Sequence, residues 1–304
     1  MNSDKLLNYI YSENIHQKKR LQPFFSSNSN VKKDLELFLE MYNPYMKSEN
    51  ISIEQLADAY LLMLRQVLHA RLSFVRTGKY QVKSFDEAYD MVYNDANVMK
   101  QYMLGLALSQ FLWEHHYKVF NFFSQQLTSI SNNANVLEIG SGHGLFLVEL
   151  LEKVSLLKNC DVVDISETSL EMTKNIYKTL NLDKKHNVNF VLNDVNDYKS
   201  QYLYDFIVMG EVLEHVEHPG KILDKLYTLL EDNGEVYIST CSNCPAIDHI
   251  TYFKDIEDIR LLVEESEFII KEECIAPSES MSMDKLQKYK VDIVYAAILK
   301  KGKK

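Results

Sequence analysis

The sequence predicts an α/β fold behind an all-helical N-terminal domain: a mostly parallel sheet with helices on both faces and an antiparallel last strand. Three observations carry this. The run Val136 to Ile139 reads as a buried strand, Gly140, Gly142 and Gly144 force a tight turn, and Leu145 to Leu151 continues at helical spacing. Strand and helix patterns then alternate toward the C-terminus, as a parallel sheet covered on both faces requires. Before the turn there is only helical spacing, and the polar connection Thr128 to Asn135 separates the halves. The division expected is 1–128, a helical lid or substrate domain, and 129–304, the ligand-binding domain.

Composition narrows the classes. With 304 residues and 46% hydrophobic content there is ample material for a core. A net charge of −10 opposes sequence-independent binding to nucleic acid. No apolar stretch is long enough for a membrane span, and Met1-Asn2-Ser3-Asp4-Lys5 opens no signal-peptide pattern. Lys300, Lys301, Lys303 and Lys304 read as a solvated basic tail. Cys160 and Cys274 are expected as buried thiols. Cys241 and Cys244 form a lone C-x-x-C, and a zinc or redox role there would need a second pair or a thioredoxin-like context. The cytoplasm is the compartment this cysteine usage suits.

Taken in order, residues 1–30 read as polar and irregular, with apolar clusters at Leu6-Leu7-Tyr9-Ile10 and Leu21-Phe24-Phe25 that pack against something. Leu35, Phe38, Leu39 and Tyr42 share a helical face, with Pro44 after the stop. Ser52 and Gln55 make a capping box for a helix that Gly78 closes, and Ser84 and Glu87 make another. A long apolar helix is expected from about Ala96 to Trp113, or on to Leu127. Its stretch Tyr102 to Phe123 is rich in aromatics and methionine, which suits a pocket wall or a bundle core. A homodimer through the helical domain is the other role open to this half. Beyond the turn, strands are expected at 160–165, 189–194, 204–211 and 235–240, and helices at 145–153, 167–180, from Pro219 to near Asn233-Gly234, and 255–265. Phe268–Ile275 and Val291–Leu299 read as a closing antiparallel hairpin with a long insert reaching toward the site.

The glycine turn has spacing G-x-G-x-G, with Leu145 where a dinucleotide-binding turn needs a third small residue. Glu138, two residues ahead of the turn, would repel a pyrophosphate and suit a cationic ligand. Asp164, twenty residues past Gly144, stands where a ribose-binding carboxylate is expected. Together with Asn189 to Asp194 and Tyr204 to Glu211, these stretches resemble the successive motifs of class I S-adenosylmethionine (SAM) methyltransferases. The resemblance covers about residues 134–300 and implies a Rossmann-like sheet and SAM as cofactor. It places the cofactor contacts on Glu138, Gly140, Gly142, Gly144, Asp164, Ile165, Asn193, Asp194, Val195, Gly210 and Glu211.

In a fold of this kind ligands lie beyond the carboxyl ends of the strands. Glu211, Glu214 and His215, after the fourth strand, stand at i, i+3 and i+4 of a helical turn and would share one face. His249, after the fifth strand, can reach the same edge. The pattern is similar to the metal site of small-RNA 3′-terminal 2′-O-methyltransferases, and Glu214-His215 resembles ubiquinone-pathway O-methyltransferases. Glu211, Glu214, His215 and His249 are therefore candidate ligands for one divalent ion (magnesium, manganese, iron or cobalt). The alternative makes the four a pocket wall with His215, His249 and Glu214 as the catalytic proton-handling groups. His115, His116, His143 and His218 are further histidines to place. The function expected is methyl transfer to an oxygen of a small, partly apolar acceptor in a natural-product or quinone-like pathway. Its rivals are an RNA terminal 2′-O-methyltransferase and a non-catalytic SAM-binding subunit.

Overall fold

The computed structural model describes residues 3–302, so Met1, Asn2, Lys303 and Lys304 lie outside the described residues. The N-terminal stretch that reads as irregular forms two helices, α1 (Ser3–Glu13) and α2 (Ile15–Ser27). Its apolar clusters explain the difference: α1 buries Leu6, Leu7 and Ile10, and α2 buries Gln17, Leu21 and Phe24 at i, i+4 and i+7. Asn28 caps α3 (Ser29–Ser48), which runs through Pro44 instead of stopping before it. Tyr45 and Met46 beyond the proline are buried, and that burial outweighs the lost backbone hydrogen bond.

The Ser52–Gln55 capping box is present at the start of α4 (Ile53–Thr77), and Gly78 ends it at φ +70°. At Ser84 the box is only half formed. Ser84 accepts from the Glu87 N–H, while the Glu87 carboxylate takes the Lys83 N–H. The short α5 (Phe85–Ala88) passes into a single π-helical turn, Tyr89–Tyr93. The long apolar helix is two: α6 (Ala96–Leu112) and α7 (Glu114–Gln126) meet at an extended Trp113.

The sheet holds β1 (Ala134–Ile139), β2 (Leu157–Asp164), β3 (Val188–Leu192), β4 (Tyr204–Gly210), β5 (Leu230–Ser242), β6 (Phe268–Pro277) and β7 (Ile293–Lys301). Its order is β3-β2-β1-β4-β5-β7-β6; β1 to β5 pair in parallel, and β7 is antiparallel to both neighbours. Period-two alternation divides the strand side chains between two cores. Val136, Val162, Phe206, Val208 and Tyr237 face one way, into a single apolar core shared with α8 (Leu145–Lys153), α9 (Glu167–Thr179) and the N-terminal helices. Leu137, Ile139, Val163, Ile207 and Ile238 face the other way, under α10 (Pro219–Leu229) and α11 (Ile256–Glu265). Helix α10 stops at Leu229, and Asn233-Gly234 lie within β5. Between β6 and β7 the insert contains α12 (Met283–Lys288). Lys300 and Lys301 of the basic stretch pair with Glu235 and Asp232. No helix of the described residues is long and apolar enough to cross a membrane.

Candidate active site

The carboxyl ends of β1, β2, β4 and β5 open onto a cavity of about 680 Å³ that the helical segment roofs. The glycine turn forms its floor. Gly140 and Gly142 line the cavity at φ +75° and +47°, and a Cβ on Gly140 would lie 2.7 Å from Val212 Cγ2, so only glycine fits there. Gly144 does not reach the cavity; it faces α9, where an added Cβ would meet Thr173 and Ile176. Asp164 braces the turn. Its Oδ2 accepts from Ser141 N–H (2.7 Å) and Ser141 Oγ–H (2.8 Å), and its Oδ1 accepts from Ser166 N–H (2.8 Å). Burial pushes its carboxyl up and these donors work against that shift. Asp164, Ile165, Gly210 and Glu211 all stand on the cavity wall.

Besides Gly144, four expected cofactor residues sit away from that wall. Glu138 is buried beneath the turn, where burial pushes its carboxyl well up and the Leu147 N–H at the start of α8 opposes the shift. Asn193, Asp194 and Val195 follow β3 beside the cavity: the Asn193 N–H donates to the Asp164 carbonyl, Asp194 caps the next turn through Asn196, and Val195 joins the opposite core.

The stretch after β4 differs from a helical turn with three residues on one face. Glu211 is left-handed at φ +53°, held by its N–H donating to Ser239 O and Oγ, and only Leu213–His215 form a 3₁₀ turn. The result is two overlapping groups. Donor atoms of Glu214, His215 and His249 lie within 4.8 Å of one another, and Glu211 meets Glu214 and Cys241 instead of completing a set of four. Glu214 Oε2 accepts from Thr240 (2.7 Å), while Oε1 is buried without a hydrogen-bond partner, 3.9 Å from His215 Nε2. Burial raises the Glu214 carboxyl to about 7. Glu211 Oε1 is likewise unpartnered, and burial followed by the neighbouring Glu214 charge pushes its carboxyl well up.

The imidazole tautomers follow from their neighbours. His215 Nδ1 faces the Asp248 carbonyl (3.1 Å) and carboxylate (3.5 Å), both acceptors, so Nδ1 carries the hydrogen and Nε2 the lone pair. His249 Nδ1 donates to the Cys244 carbonyl (2.6 Å), which likewise leaves Nε2 free, and burial lowers its pKa to about 4. His249 also stands beside Cys241 and Cys244, so the C-x-x-C has an imidazole neighbour. Burial pushes the Cys241 thiol well up, against thiolate formation.

Sequence reasoning missed Asp248 and Tyr93, and placed Tyr102 only at the start of a stretch suited to a pocket wall or a bundle core. Asp248 is 1% exposed and accepts from Tyr102 (3.3 Å) and Tyr93 (3.3 Å), two hydroxyls from the helical segment. Asp248 precedes His249 directly, and that adjacency was the only trace of it in the sequence. His143, His115 and His116 line the cavity; burial lowers His143 to about 4 and His116 to about 3, so both rings are neutral. His218 stands outside it, at the start of α10.

A family model described as a methyltransferase domain matches residues 112–271. Malonyl-[acyl-carrier protein] O-methyltransferase 1 of Ilyobacter polytropus is 29% identical over 134 residues, 44% of this chain and 46% of that protein. The mitochondrial ubiquinone biosynthesis O-methyltransferase of Candida albicans is 29% identical over 125 residues, 41% of this chain and 36% of that one. The match thus spans less than half of either relative. Among solved structures, the N-methyltransferase NodS of Bradyrhizobium japonicum WM9 with S-adenosyl-L-homocysteine aligns with TM-score 0.53 and 16% identity, over 72% of this chain and all of that one. The mitomycin 7-O-methyltransferase MmcR aligns with TM-score 0.56 and 10% identity, over 82% of this chain and 70% of that one. At these identities the likeness concerns the fold.

Proposed function

The chain belongs to the methyltransferase-domain family of class I SAM-dependent enzymes, and from that premise we propose that it methylates an oxygen of a small, partly apolar metabolite. One observation carries the choice of oxygen: the wall that faces the glycine turn is built to take a proton. A hydroxyl nucleophile must lose its proton, whereas a free amine already offers a lone pair. His215 Nε2 is a free lone pair on the cavity wall, and the Asp248 carboxylate behind Nδ1 fixes the ring and steadies the imidazolium. The acceptor O–H proton passes to His215 Nε2, the O–CH3 bond forms as the S–CH3 bond breaks, and neutral S-adenosylhomocysteine leaves. Tyr93 and Tyr102 hold Asp248, so helices from residues 96–112 and the turn before them help to set the base. The apolar wall, with Leu64, Val67, Met99, Met103 and Leu106, suits a partly apolar acceptor. The helical segment acts in this reading as the lid and acceptor domain, and Gly140, Gly142, Asp164 and Ile165 hold the cofactor.

The unpartnered Oε1 atoms of Glu211 and Glu214 favour a second reading, in which a divalent ion sits at the cluster. Glu214, His215 and His249 would hold it through oxygen and nitrogen donors, with Glu211 alongside; bound there, it would lower the pKa of the acceptor hydroxyl.

The test is incubation with methyl-labelled SAM and metabolite fractions, with mass spectrometry of the labelled product. A methyl ether is expected. His215→Gln should lower turnover by on the order of 10²–10⁴-fold with SAM affinity unchanged. A labelled amine, or full activity in His215→Gln, removes the proposal. Chelation separates the two readings: the base reading requires unchanged turnover in chelator, and the metal reading requires its loss with SAM binding intact.

A further inference from the structure

The charges on the cavity wall are segregated. Its carboxylates, Asp164, Glu211, Glu214, Asp248, Glu279 and Asp292, all come from the α/β half. The helical segment contributes no carboxylate to the wall and three arginines, Arg20 from α2 and Arg65 and Arg71 from α4, in a chain whose net charge is −10. Arg71 is committed: it pairs with Asp292 at 3.0 Å and donates to the Asn243 and Tyr289 carbonyls. Arg20 and Arg65 have no carboxylate within ion-pair distance among the described residues, although both are solvent-accessible where they line the cavity.

Arg20 has a defined seat. Its guanidinium lies 5.8 Å from the centre of the Trp113 ring, and Trp113 donates to the Tyr60 hydroxyl (3.0 Å), which donates to Gln17 (2.9 Å). Beside it, His115 is 6% exposed and its Nδ1 is buried without a hydrogen-bond partner. Asp292 feels the Arg20 charge but lies beyond ion-pair distance, so a fixed cation next to an unsatisfied imidazole, with no carboxylate of its own, is the arrangement an anion completes. Along α4, Leu64, Val67, Leu68 and Arg71 line the cavity over about 10 Å of helix, so an apolar path joins this end to the Arg71 side of the catalytic cluster.

We propose that the methyl acceptor carries an anionic group, a carboxylate or a phosphate, that binds Arg20 and Arg65 while its apolar body lies along α4 and its hydroxyl reaches His215. The proposal rests on the methyl-transfer reading above and names the acceptor class for it.

The full chain, loaded with S-adenosylhomocysteine, is titrated with dodecanoate, dodecyl phosphate and dodecanol. Emission of Trp113, the only tryptophan in the chain, and calorimetry read the binding. At least one anion should bind on the order of tenfold more tightly than the alcohol, as expected for a charge-assisted contact, and the preferred anion identifies the group. In Arg20→Gln/Arg65→Gln the preference should vanish with S-adenosylhomocysteine affinity unchanged; the paired lysine variant should keep part of it. If the double variant melts early, the single Arg20→Gln variant is read, and it should lose most of the preference. Equal binding of all three probes, no binding of any to the loaded protein, or a preference that survives the glutamine substitutions overturns the proposal. Failure of the parent protein to bind S-adenosylhomocysteine would count instead against the methyl-transfer reading.

Discussion

Glu214 holds one carboxylate oxygen against Thr240 and leaves the other buried and unpartnered, and that asymmetry has a thermodynamic consequence. Burial raises its pKa from 4.5 to about 7. Below the unfolded value both states are protonated, and Glu214 costs the fold nothing. As pH rises through the folded value, the native state must either ionise a buried carboxyl or hold a proton that the unfolded chain has released, so stability falls between about 4.5 and 7. Glu214→Gln should therefore shrink the drop in melting temperature between pH 5 and pH 8, measured with chelator present. The drop that remains is shared by Glu211, Glu138, Asp164 and Asp292, whose carboxyls burial also pushes up. An identical drop in parent and variant would show that Glu214 is ionised at no cost in the native state.

At the scale of elements, the approach of α4 and α6 is set by one residue. A Cβ on Gly105 would lie 2.9 Å from both the Ala59 carbonyl oxygen and Met63 Cβ. Gly105→Ala gains helix propensity but forces two packed helices apart, and overpacking of this kind costs about 1–3 kcal/mol. Urea unfolding should show the lower midpoint with an unchanged slope; a higher midpoint would mean that the helices part freely. Both helices line the cavity, so the same substitution should widen it.

Elements also show what could be read in advance. The strands, the glycine turn and helices α8 to α11 were legible because each carries a local signal: an apolar run, a positive-φ position, a cap. Helices α1 and α2 were not, since single buried faces such as Gln17, Leu21 and Phe24 are sparse among polar residues, and only tertiary burial makes them helical. The grouping of Glu214, His215 and His249 was partly legible from their places after β4 and β5. The exclusion of Glu211 was not, because its left-handed backbone depends on Ser239 of the neighbouring strand. Tyr93 and Tyr102 reach Asp248 across more than 140 positions of sequence, a separation that no spacing rule spans.

For the whole molecule, the question is how ligands enter a cavity with a roof. Helices α3, α4 and α6 belong to the same apolar core as the sheet, so opening by lifting the entire helical segment would expose that core. The segment between α4 and α6 is the weaker part of the cover. It is a four-residue α5 and one π turn, with Tyr89 and Met91 largely exposed, and it contributes Phe85 and Tyr93 to the cavity wall. Tyr80, ahead of α5, packs on Tyr252 and His249, but from residue 84 on the ties to the α/β half are few: the Phe85 N–H donates to Glu217, and Tyr93 reaches Asp248 and His215. Local opening uses the least stable unit, and π turns concentrate at functional sites. Residues 84–95 should therefore exchange amide hydrogens faster than residues 102–123 in the free protein. They should slow when S-adenosylhomocysteine and an acceptor are bound together, because closure then holds Tyr93 on Asp248 and suppresses local opening. Tyr93→Phe should remove much of that slowing while leaving 102–123 as protected as before. If 102–123 instead gains the protection, the lid is the α6–α7 pair itself, and ligand entry requires opening between Trp113 and the sheet.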